Sequence, residues 1–225
     1  MPIFFQQDID GDTKLAVWKI DEVESFFNVP LQRDITHPHK RLQHLAGRYL
    51  LRHLFPAFPL ELIKIADTRK PYLDDEAFHF SISHCSDYAA AIVSRNKRVG
   101  VDIEVPSAKV ERIREKFLHP NELDLFNAQW TTDNLQKAAN KDAHLTSDAN
   151  QNQIHQLTLL WSVKEAVFKW WSYGGVDFSE MIRIQPFQIA ESGNIATTLY
   201  APDKAHQLSL QYQLFEEICL AWVTA

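Results

Sequence analysis

The order of helix and strand patterns along the chain is the feature that most limits its fold. Pro38 can open a helix that runs to Leu54 and ends at Pro56, because proline fits a first helical turn and cannot continue a helix. Strand-like runs follow at residues 61–66, 77–84, 88–94 and 99–105. A Cys-Ser-Asp turn between the second and third runs predicts an antiparallel hairpin.

The rest of the chain repeats this order. After Pro106, helical patterns occupy residues 109–117, 120–130 and 156–171, and strands are expected at 181–189, 195–200, 207–214 and 218–223. Gly193-Asn194 is a credible hairpin turn between the first two of these strands. Helices placed before antiparallel strands in both parts predict an α+β fold. We therefore expect an N-terminal half at residues 1–106 and a C-terminal half at residues 107–225.

One segment differs from its surroundings in composition. Residues 134–153 are rich in Asn, Gln, Asp and Ala and contain almost no apolar side chains. A segment of this kind buries too little apolar area to offset the entropy that is lost when it becomes ordered. We expect it to be a mobile loop.

Charge and cysteine content limit the classes of partner. The formal net charge of −6 argues against nucleic acid, because that binding draws most of its affinity from clustered Lys and Arg. Cys85 and Cys219 form no CxxC unit, which argues against zinc and disulfide frameworks. The acidic N-terminus does not resemble a signal peptide, and no apolar run approaches the ~20 residues of a membrane helix. A cytoplasmic protein without a membrane or nucleic-acid partner is expected.

Two carboxylates lie on one predicted strand. Side chains alternate along a strand, so Asp102 and Glu104 share a face, with Cα atoms about 7 Å apart. Carboxylates this close repel each other unless a cation neutralises them, and Mg²⁺ prefers oxygen ligands and also binds phosphates. The pair is also consistent with an ordinary amphipathic strand whose polar side faces water.

A third carboxylate lies on a predicted helix. Glu165 and Lys169 are one helical turn apart, and Lys164 lies beside them. An exposed Glu–Lys pair at this spacing is commonplace, but four aromatic residues between 161 and 171 indicate a helix that is largely buried. Buried charges need partners. A metal for Glu165 and phosphates for Lys164 and Lys169 would supply them.

Further candidate residues come from the first half. Ser83 and His84 end a predicted strand and could donate hydrogen bonds to a phosphate oxygen, although a histidine at a strand end is more often structural. Arg48 and Lys70 could add basic surface for a phosphate. Walker, GxGxxG, GxSxG and HExxH motifs are all absent from the sequence. The residues alone therefore indicate a carboxylate–Mg²⁺ site beside groups suited to phosphates.

The combination of motifs is more specific than its parts. Residues 100–104 (Gly-Val-Asp-Ile-Glu) and 161–169 (Trp-Ser-Val-Lys-Glu-Ala-Val-Phe-Lys) resemble the signature pair of the 4′-phosphopantetheinyl transferase superfamily. Residues 70–73 (Lys-Pro-Tyr-Leu) and 80–84 (Phe-Ser-Ile-Ser-His) resemble two further family motifs, in the expected order. The length of 225 residues resembles the surfactin-synthetase-activating type, in which two similar α+β halves are related by a pseudo-twofold axis.

The resemblance implies an enzyme that uses Mg²⁺ to move the phosphopantetheine arm of coenzyme A to a serine of an apo acyl or peptidyl carrier protein. Asp102, Glu104 and Glu165 would hold the Mg²⁺, Glu165 would take the proton of the serine, and Lys169 would stabilise charge on the pyrophosphate. Ser83 and His84 would bind coenzyme A phosphates. The family further implies a monomer that releases 3′,5′-ADP as a holo-carrier-protein synthase.

Other coenzyme A contacts also follow from the resemblance. Lys70 and Pro71 would line the adenine end, Arg48 would pair with the 3′-phosphate, and Lys164 would be a weaker phosphate ligand. Two positions depart from the family pattern: Arg69 stands where glycine often precedes Lys-Pro, and Ser81 stands where asparagine is frequent. These departures concern the adenine side.

Two other functions are compatible with the same residues. The chain could be a non-catalytic module that binds carrier protein or coenzyme A. It could also be a Mg²⁺-dependent hydrolase of phosphoanhydrides, which needs the same combination of metal, carboxylates and lysine.

Overall fold

Two antiparallel sheets, each covered by a long helix, form the core of the molecule. A computed structural model describes residues 3–31, 34–124, 126 and 145–225. The strands are β1 (Ile3–Asp10), β2 (Thr13–Lys19), β3 (Lys64–Ile65), β4 (Pro71–Tyr72), β5 (His79–Cys85), β6 (Tyr88–Ser94), β7 (Val99–Glu104), β8 (Ile182–Ile184), β9 (Ser192–Tyr200), β10 (Ala205–Leu214) and β11 (Cys219–Thr224). The helices are α1 (Pro38–Leu54), α2 (Lys109–Phe117), α3 (Leu145–Trp171) and the short α4 (Phe178–Met181).

The first sheet has the strand order β1-β2-β6-β5, and α1 covers one face of it. Pro38 occupies the first turn of α1, and the helix ends at Leu54, as the sequence predicts. Its buried leucines pack against Trp18 of β2 and Phe80 of β5. The antiparallel pairing of β5 with β6 confirms the predicted hairpin.

The second sheet has the strand order β7-β11-β10-β9-β8, with α3 against one face. The predicted turn at Gly193-Asn194 is wrong, because both residues lie inside β9 and residues 185–191 connect β8 to β9 instead. Gly193 pairs with Tyr212 on β10, and a Cβ at Gly193 would lie 3.1 Å from the Tyr212 ring. The glycine therefore makes room for an aromatic ring and does not form a turn.

The two sheets pack face to face. Leu15, Val17 and Ile92 of the first sheet meet Val101 and Trp222 of the second in one buried apolar cluster. The molecule thus has the layer order helix, sheet, sheet, helix, and the mixture of helices with antiparallel sheets confirms the α+β class.

Two elements differ from the sequence expectations. Helix α3 begins at Leu145, so the loop expected over 134–153 is wrong for residues 145–153. Extending an existing helix avoids the cost of a new nucleus, and this stretch contains no proline or glycine. Of the helix expected at 120–130, residues 120–124 and 126 are helical. Residues 125 and 127–130 of that helix, and residues 134–144 of the loop, lie outside the described residues. The edge strand β1 was not expected from the sequence.

The expected division at residue 106 and the twofold relation of the halves remain predictions. Strand β7 precedes residue 106 in the chain, yet it pairs with β11 at the edge of the second sheet. In the part of the chain that the structure describes, no helix has the length and apolar character needed to cross a bilayer.

Candidate functional site

Strand β7 and helix α3 approach each other closely enough for their functional side chains to meet. Val101 and Ile103 face the apolar cluster between the sheets, so Asp102 and Glu104 point to the other side, towards α3. A Cβ at Gly100 would lie 2.1 Å from the carbonyl oxygen of Ala166 and 2.8 Å from the backbone nitrogen of Trp170. Glycine at this position is therefore required for the contact between β7 and α3.

Asp102 is the centre of a buried hydrogen-bonded group. Its Oδ1 accepts hydrogen bonds from Lys169 Nζ at 2.6 Å and from Ser83 Oγ at 2.8 Å, and Lys169 also donates to Ser83 at 2.8 Å. The Asp102 side chain is 3% exposed, and its Oδ2 is buried and has no hydrogen-bond partner among the residues that the structure describes. A buried carboxylate oxygen without a donor is costly, so this atom is available for a further ligand.

Two more carboxylates surround this group. Burial raises the pKa of Glu165 from 4.5 to about 7, the charge of Asp102 adds to the effect, and Lys169 opposes it. Burial likewise raises the pKa of Glu104 to about 7, and the negative charge of Asp102 is the second cause. Lys169 and Trp161 lower the pKa of Glu104 and so oppose the shift. Both glutamates therefore experience an excess of negative charge.

The donor set fits a divalent cation. Three carboxylates against the single ammonium of Lys169 leave two negative charges when all are ionised. Carboxylate oxygens are the protein ligands that Mg²⁺ takes, and no group in the described part of the chain hydrogen-bonds Asp102 Oδ2. Within the described ranges, no three His, Cys, Asp or Glu side chains are already arranged to hold a metal ion. The carboxylates would have to turn towards a common ion.

Two basic clefts lie beside the carboxylates. One of them, the outer cleft, has a volume of about 160 Å³ and is lined by His44, Arg48, Arg69, Pro71 and His84, among other residues. The other, the inner cleft, has a volume of about 200 Å³. It is lined by Lys70 and Lys169 and shares Arg69 and Pro71 with the outer cleft. The structure thus brings Arg48, Lys70, Pro71, His84 and Lys169 to adjoining surfaces.

Lys70 ties its own loop to the end of α3. Its Nζ donates to the backbone carbonyl of Lys169 at 2.5 Å and to Ser172 Oγ. Burial lowers the pKa of Lys70 from 10.5 to about 8, and the positive charge of Arg98 adds to this effect. The expected adenine-side residue is therefore a half-buried cation next to the end of α3.

Lys164 does not belong to this arrangement, and its expected role as a phosphate ligand is corrected. The side chain is fully buried, and its Nζ donates to Glu122 Oε2 at 2.6 Å and to the carbonyls of Phe117, Phe178 and Ile182 at 2.7–3.0 Å. These acceptors satisfy the ammonium, so no donor remains for a phosphate. Lys164 joins α3 to α2 and α4.

Three residues near the site were not assigned a role from the sequence. Arg69 lines both clefts and has φ 66, a left-handed conformation that favours glycine, which explains why the family often has glycine at this position. Trp161 lowers the pKa of Glu104, and Ser172 Oγ accepts a hydrogen bond from Lys70. Only Arg69 carried a sequence signal, namely its departure from the family pattern. Ser81, the other departure, accepts a hydrogen bond from the Val101 N–H at 3.2 Å and thereby joins β5 to β7.

Comparison with known proteins agrees with these features. A sequence model of the 4′-phosphopantetheinyl transferase superfamily matches residues 98–223, which is more than half of the chain. Enterobactin synthase component D of Salmonella austin is 29% identical over 160 residues, covering 71% of this chain and 56% of the relative. The 4′-phosphopantetheinyl transferase gsp of Aneurinibacillus migulanus is 28% identical over 173 residues, covering 76% of this chain and 62% of the relative.

A putative 4′-phosphopantetheinyl transferase of Haemophilus influenzae is 28% identical over 151 residues, covering 64% of this chain and 55% of the relative. The matched region thus spans a little over half the length of these curated relatives. The superfamily match includes β7, with Asp102 and Glu104, and the part of α3 that carries Glu165 and Lys169. The chain belongs to the 4′-phosphopantetheinyl transferase superfamily.

Proposed function

We propose that this protein transfers the 4′-phosphopantetheine arm of coenzyme A to a serine of an apo carrier protein and releases 3′,5′-ADP. The observation that carries the proposal is the position of Asp102, Glu104, Glu165 and Lys169 beside two basic clefts. Two relatives are named as 4′-phosphopantetheinyl transferases, one of them putative, and another as a component of enterobactin synthase.

Coenzyme A would bind with its charged end in the clefts. Arg48 and His84 line the outer cleft and are suited to the 3′-phosphate, because both are donors to phosphate oxygens. Lys70 and Pro71 line the neighbouring cleft and would contact the adenine end. Ser83 lies beside Lys169 and Asp102, so its hydroxyl is placed for a phosphate between the clefts and the carboxylates.

Asp102, Glu104 and Glu165 would together hold Mg²⁺. Bound there, the ion would offset negative charge on the pyrophosphate during transfer. Lys169 would add its positive charge to the same oxygens, with the ammonium that now binds Asp102 turning to the pyrophosphate.

Glu165 is the proposed general base. The serine oxygen forms a bond to the phosphorus next to pantetheine, the bond from that phosphorus to the bridging oxygen breaks, and 3′,5′-ADP leaves with the electron pair. The serine proton passes to Glu165 directly or through a water. A pKa of about 7 allows this carboxylate to accept a proton near neutral pH.

The reaction is tested by intact-mass spectrometry of a panel of apo carrier proteins incubated with this protein, coenzyme A and Mg²⁺. The proposal predicts a gain of one phosphopantetheine mass that disappears with EDTA. Coenzyme A bound tightly without any mass gain would indicate a binding module. Release of 3′,5′-ADP in the absence of a carrier, at the rate seen with one, would indicate a hydrolase.

Two finer statements belong to the same proposal. We propose that the protein acts in the cytoplasm and as a monomer, since the carboxylates and both clefts all come from one chain. Which carrier is the natural substrate is decided by the relative rates in the mass assay. Size-exclusion chromatography with light scattering tests the monomer, and a stable dimer would contradict it.

A further inference from the structure

A separate cavity lies at the opposite ends of the strands that carry the site. It has a volume of about 270 Å³, and its walls include Lys70, Tyr72, His79, Arg98 and Tyr173. His79 and His84 lie five residues apart on β5, which corresponds to about 16 Å along an extended strand. The cavity is therefore distant from His84, although Pro71 also lines the outer cleft. Lys70, Pro71, Phe80 and Ser172 line both this cavity and the inner cleft.

The cavity contains two cations that have no carboxylate partner. Among the residues that the structure describes, neither Arg98 nor Lys70 has an Asp or Glu oxygen within ion-pair distance, and both make hydrogen bonds to neutral acceptors. Arg98 donates to the Tyr173 hydroxyl at 3.0 Å, and Lys70 donates to the Lys169 carbonyl and to Ser172. A lysine has three donor hydrogens and an arginine five, so donors remain on both side chains.

The electrostatics of the cavity wall are consistent with an excess of positive charge. Burial and then the charge of Arg98 lower the pKa of Lys70 to about 8. Burial also lowers the pKa of His79. The negative charge of Glu76 opposes this shift, and the positive charges of Arg98 and Lys70 add to it. Glu76, an exposed carboxylate, is the acidic group among the residues that line the cavity. A bound anion would relieve the repulsion between the two cations.

The remaining wall is aromatic and apolar. Tyr72, Phe78, Phe80 and Tyr173 contribute their side chains to it. The Arg98 guanidinium carbon lies 5.2 Å from the centre of the Tyr173 ring and 5.5 Å from that of Trp170, so the cation is held in place by stacking. A cavity of about 150 Å³ is enough to bind benzene, so this one has room for an aromatic ring with an anionic substituent.

We propose that this cavity binds an aromatic acid, in which a carboxylate or phosphate group is attached to a flat apolar body. Arg98 and Lys70 would take the anionic group, and the rings of Tyr72, Phe80 and Tyr173 would pack against the body. The site adjoins the proposed coenzyme A cleft, with which it shares Lys70 and Phe80, but it does not depend on the proposed transfer reaction. A mostly apolar pocket with a few convergent polar groups is the usual form of a small-molecule site.

The proposal is tested by calorimetric titration of the full chain with benzoate, phenyl phosphate, inorganic phosphate and benzyl alcohol. Benzoate or phenyl phosphate should bind, and which of the two binds more tightly identifies the anionic group. Inorganic phosphate and benzyl alcohol, which each lack one half of the recognised chemistry, should bind at least about tenfold more weakly. Equal affinity for inorganic phosphate and phenyl phosphate, or no binding of either aromatic acid, would overturn the proposal.

Variants assign the binding to this cavity. Arg98→Gln should weaken binding of the aromatic acid by about tenfold or more, since it removes a charged hydrogen-bond donor. Tyr173→Ala, at a residue that is 64% exposed and so is not needed for folding, should also weaken it. Arg95→Gln is the matched control, because Arg95 also stacks on an aromatic ring but pairs with Asp12.

His84→Gln separates this cavity from the outer cleft. Binding of the aromatic acid should be unchanged in this variant, because His84 lines the other cleft. Loss of binding in His84→Gln, or unchanged binding in both Arg98→Gln and Tyr173→Ala, would place the acid elsewhere and contradict the proposal. Arg98→Gln should retain phosphopantetheine transfer if the protein has that activity.

Discussion

At the scale of single residues, the candidate site is built around Asp102. One of its oxygens is satisfied by Lys169 and Ser83, while the other is buried and finds no partner within the described ranges. Glu104 and Glu165 lie close enough to feel its charge, and each is shifted towards the protonated form. The cluster therefore carries more negative charge than its one lysine balances, and this is the physical basis for expecting a metal ion there.

Glu104 and Glu165 make the stability of the ligand-free protein depend on pH. Their pKa values rise on folding from 4.5 to about 7. Between these limits the folded state binds more protons at the two groups than the unfolded state does. Their contribution to stability is therefore lost as the pH rises from about 4.5 to about 7.

The double substitution Glu104→Gln/Glu165→Gln should remove this penalty. We expect its free energy of unfolding at pH 7.5 to exceed that of the wild type by about 1 kcal/mol or more. Each kcal/mol raises the melting temperature by about 2–4 °C in a chain of this size. At pH 4.5 we expect little difference between the two proteins. Thermal unfolding at both pH values measures the effect, and Glu216→Gln, at an exposed residue, is the control. A double variant no more stable than the wild type at pH 7.5 would contradict the buried charge cluster.

The sequence predicted most of the site residues but not their contacts. Asp102, Glu104, Glu165, Lys169 and Ser83 were identified from two motifs and a strand end. Lys164 was misassigned because its position beside Glu165 does not reveal that it turns away, towards Glu122 and three carbonyls. Burial of a long side chain depends on neighbouring elements, which the local sequence does not specify.

At the scale of elements, the packing of β7 against α3 positions the carboxylates. Gly100 allows this contact, because the atoms that a Cβ would meet at 2.1 and 2.8 Å both belong to the backbone of α3. Backbone atoms of a buried helix cannot rotate away as a side chain can. The strand and the helix would have to separate.

Gly100→Ala should therefore destabilise the protein and disrupt the site. We expect a loss of about 1–3 kcal/mol, as is typical of overpacking, together with a large fall in transfer activity. Gly11→Ala is the matched control, since a Cβ at Gly11 would meet nothing within 4 Å. Chemical denaturation measures both variants, and a Gly100→Ala protein as stable as Gly11→Ala would refute the close-approach argument.

Lys164 and Glu122 connect α3 with α2, α4 and β8. The Glu122 carboxylate accepts a hydrogen bond from the Lys164 ammonium at 2.6 Å. It also accepts hydrogen bonds from the backbone N–H groups of His119 and Ile184, both at 2.7 Å. The pair thus ties the residues after α2, and both ends of β8, to the helix that carries Glu165. Removal of one partner would leave a buried charge without compensation.

Lys164→Met should cost about 3–5 kcal/mol of stability, whereas Lys116→Met at an exposed position on α2 should cost little. Denaturant unfolding measures the difference. At a temperature where Lys164→Met remains folded, the KM for coenzyme A should be unchanged. A raised KM with normal stability would restore the phosphate-binding role that the structure argues against.

The elements that the sequence predicted well are those with strong local patterns. Helices α1 and α2 and strand β6 were expected with their observed bounds, and the β5–β6 hairpin was expected from its short turn. The extension of α3 and the in-strand position of Gly193 were missed. In both cases tertiary context, a continuing helix and a neighbouring Tyr212 ring, outweighed a local loop or turn signal.

At the scale of the whole molecule, the site lies where the two sheets meet. Ser83 comes from β5 at the edge of the first sheet, and Asp102 comes from β7 at the edge of the second. The hydrogen bond from the Val101 N–H to Ser81 joins the same two strands. The α+β class could be predicted from the order of elements, but the pairing of β7 with β11 could not, because it joins segments more than 100 residues apart.

The central claim is that this junction is the catalytic centre of a phosphopantetheinyl transferase. The most direct measurement is the initial rate of phosphopantetheine transfer, by intact mass, for the wild type, Asp102→Ala, Glu165→Ala and the exposed control Glu216→Ala, with folding checked by circular dichroism. We predict folded proteins throughout, a loss of at least about a hundredfold for the two site variants, and wild-type rates for the control. Near-normal transfer by either purified Asp102→Ala or Glu165→Ala would contradict the account.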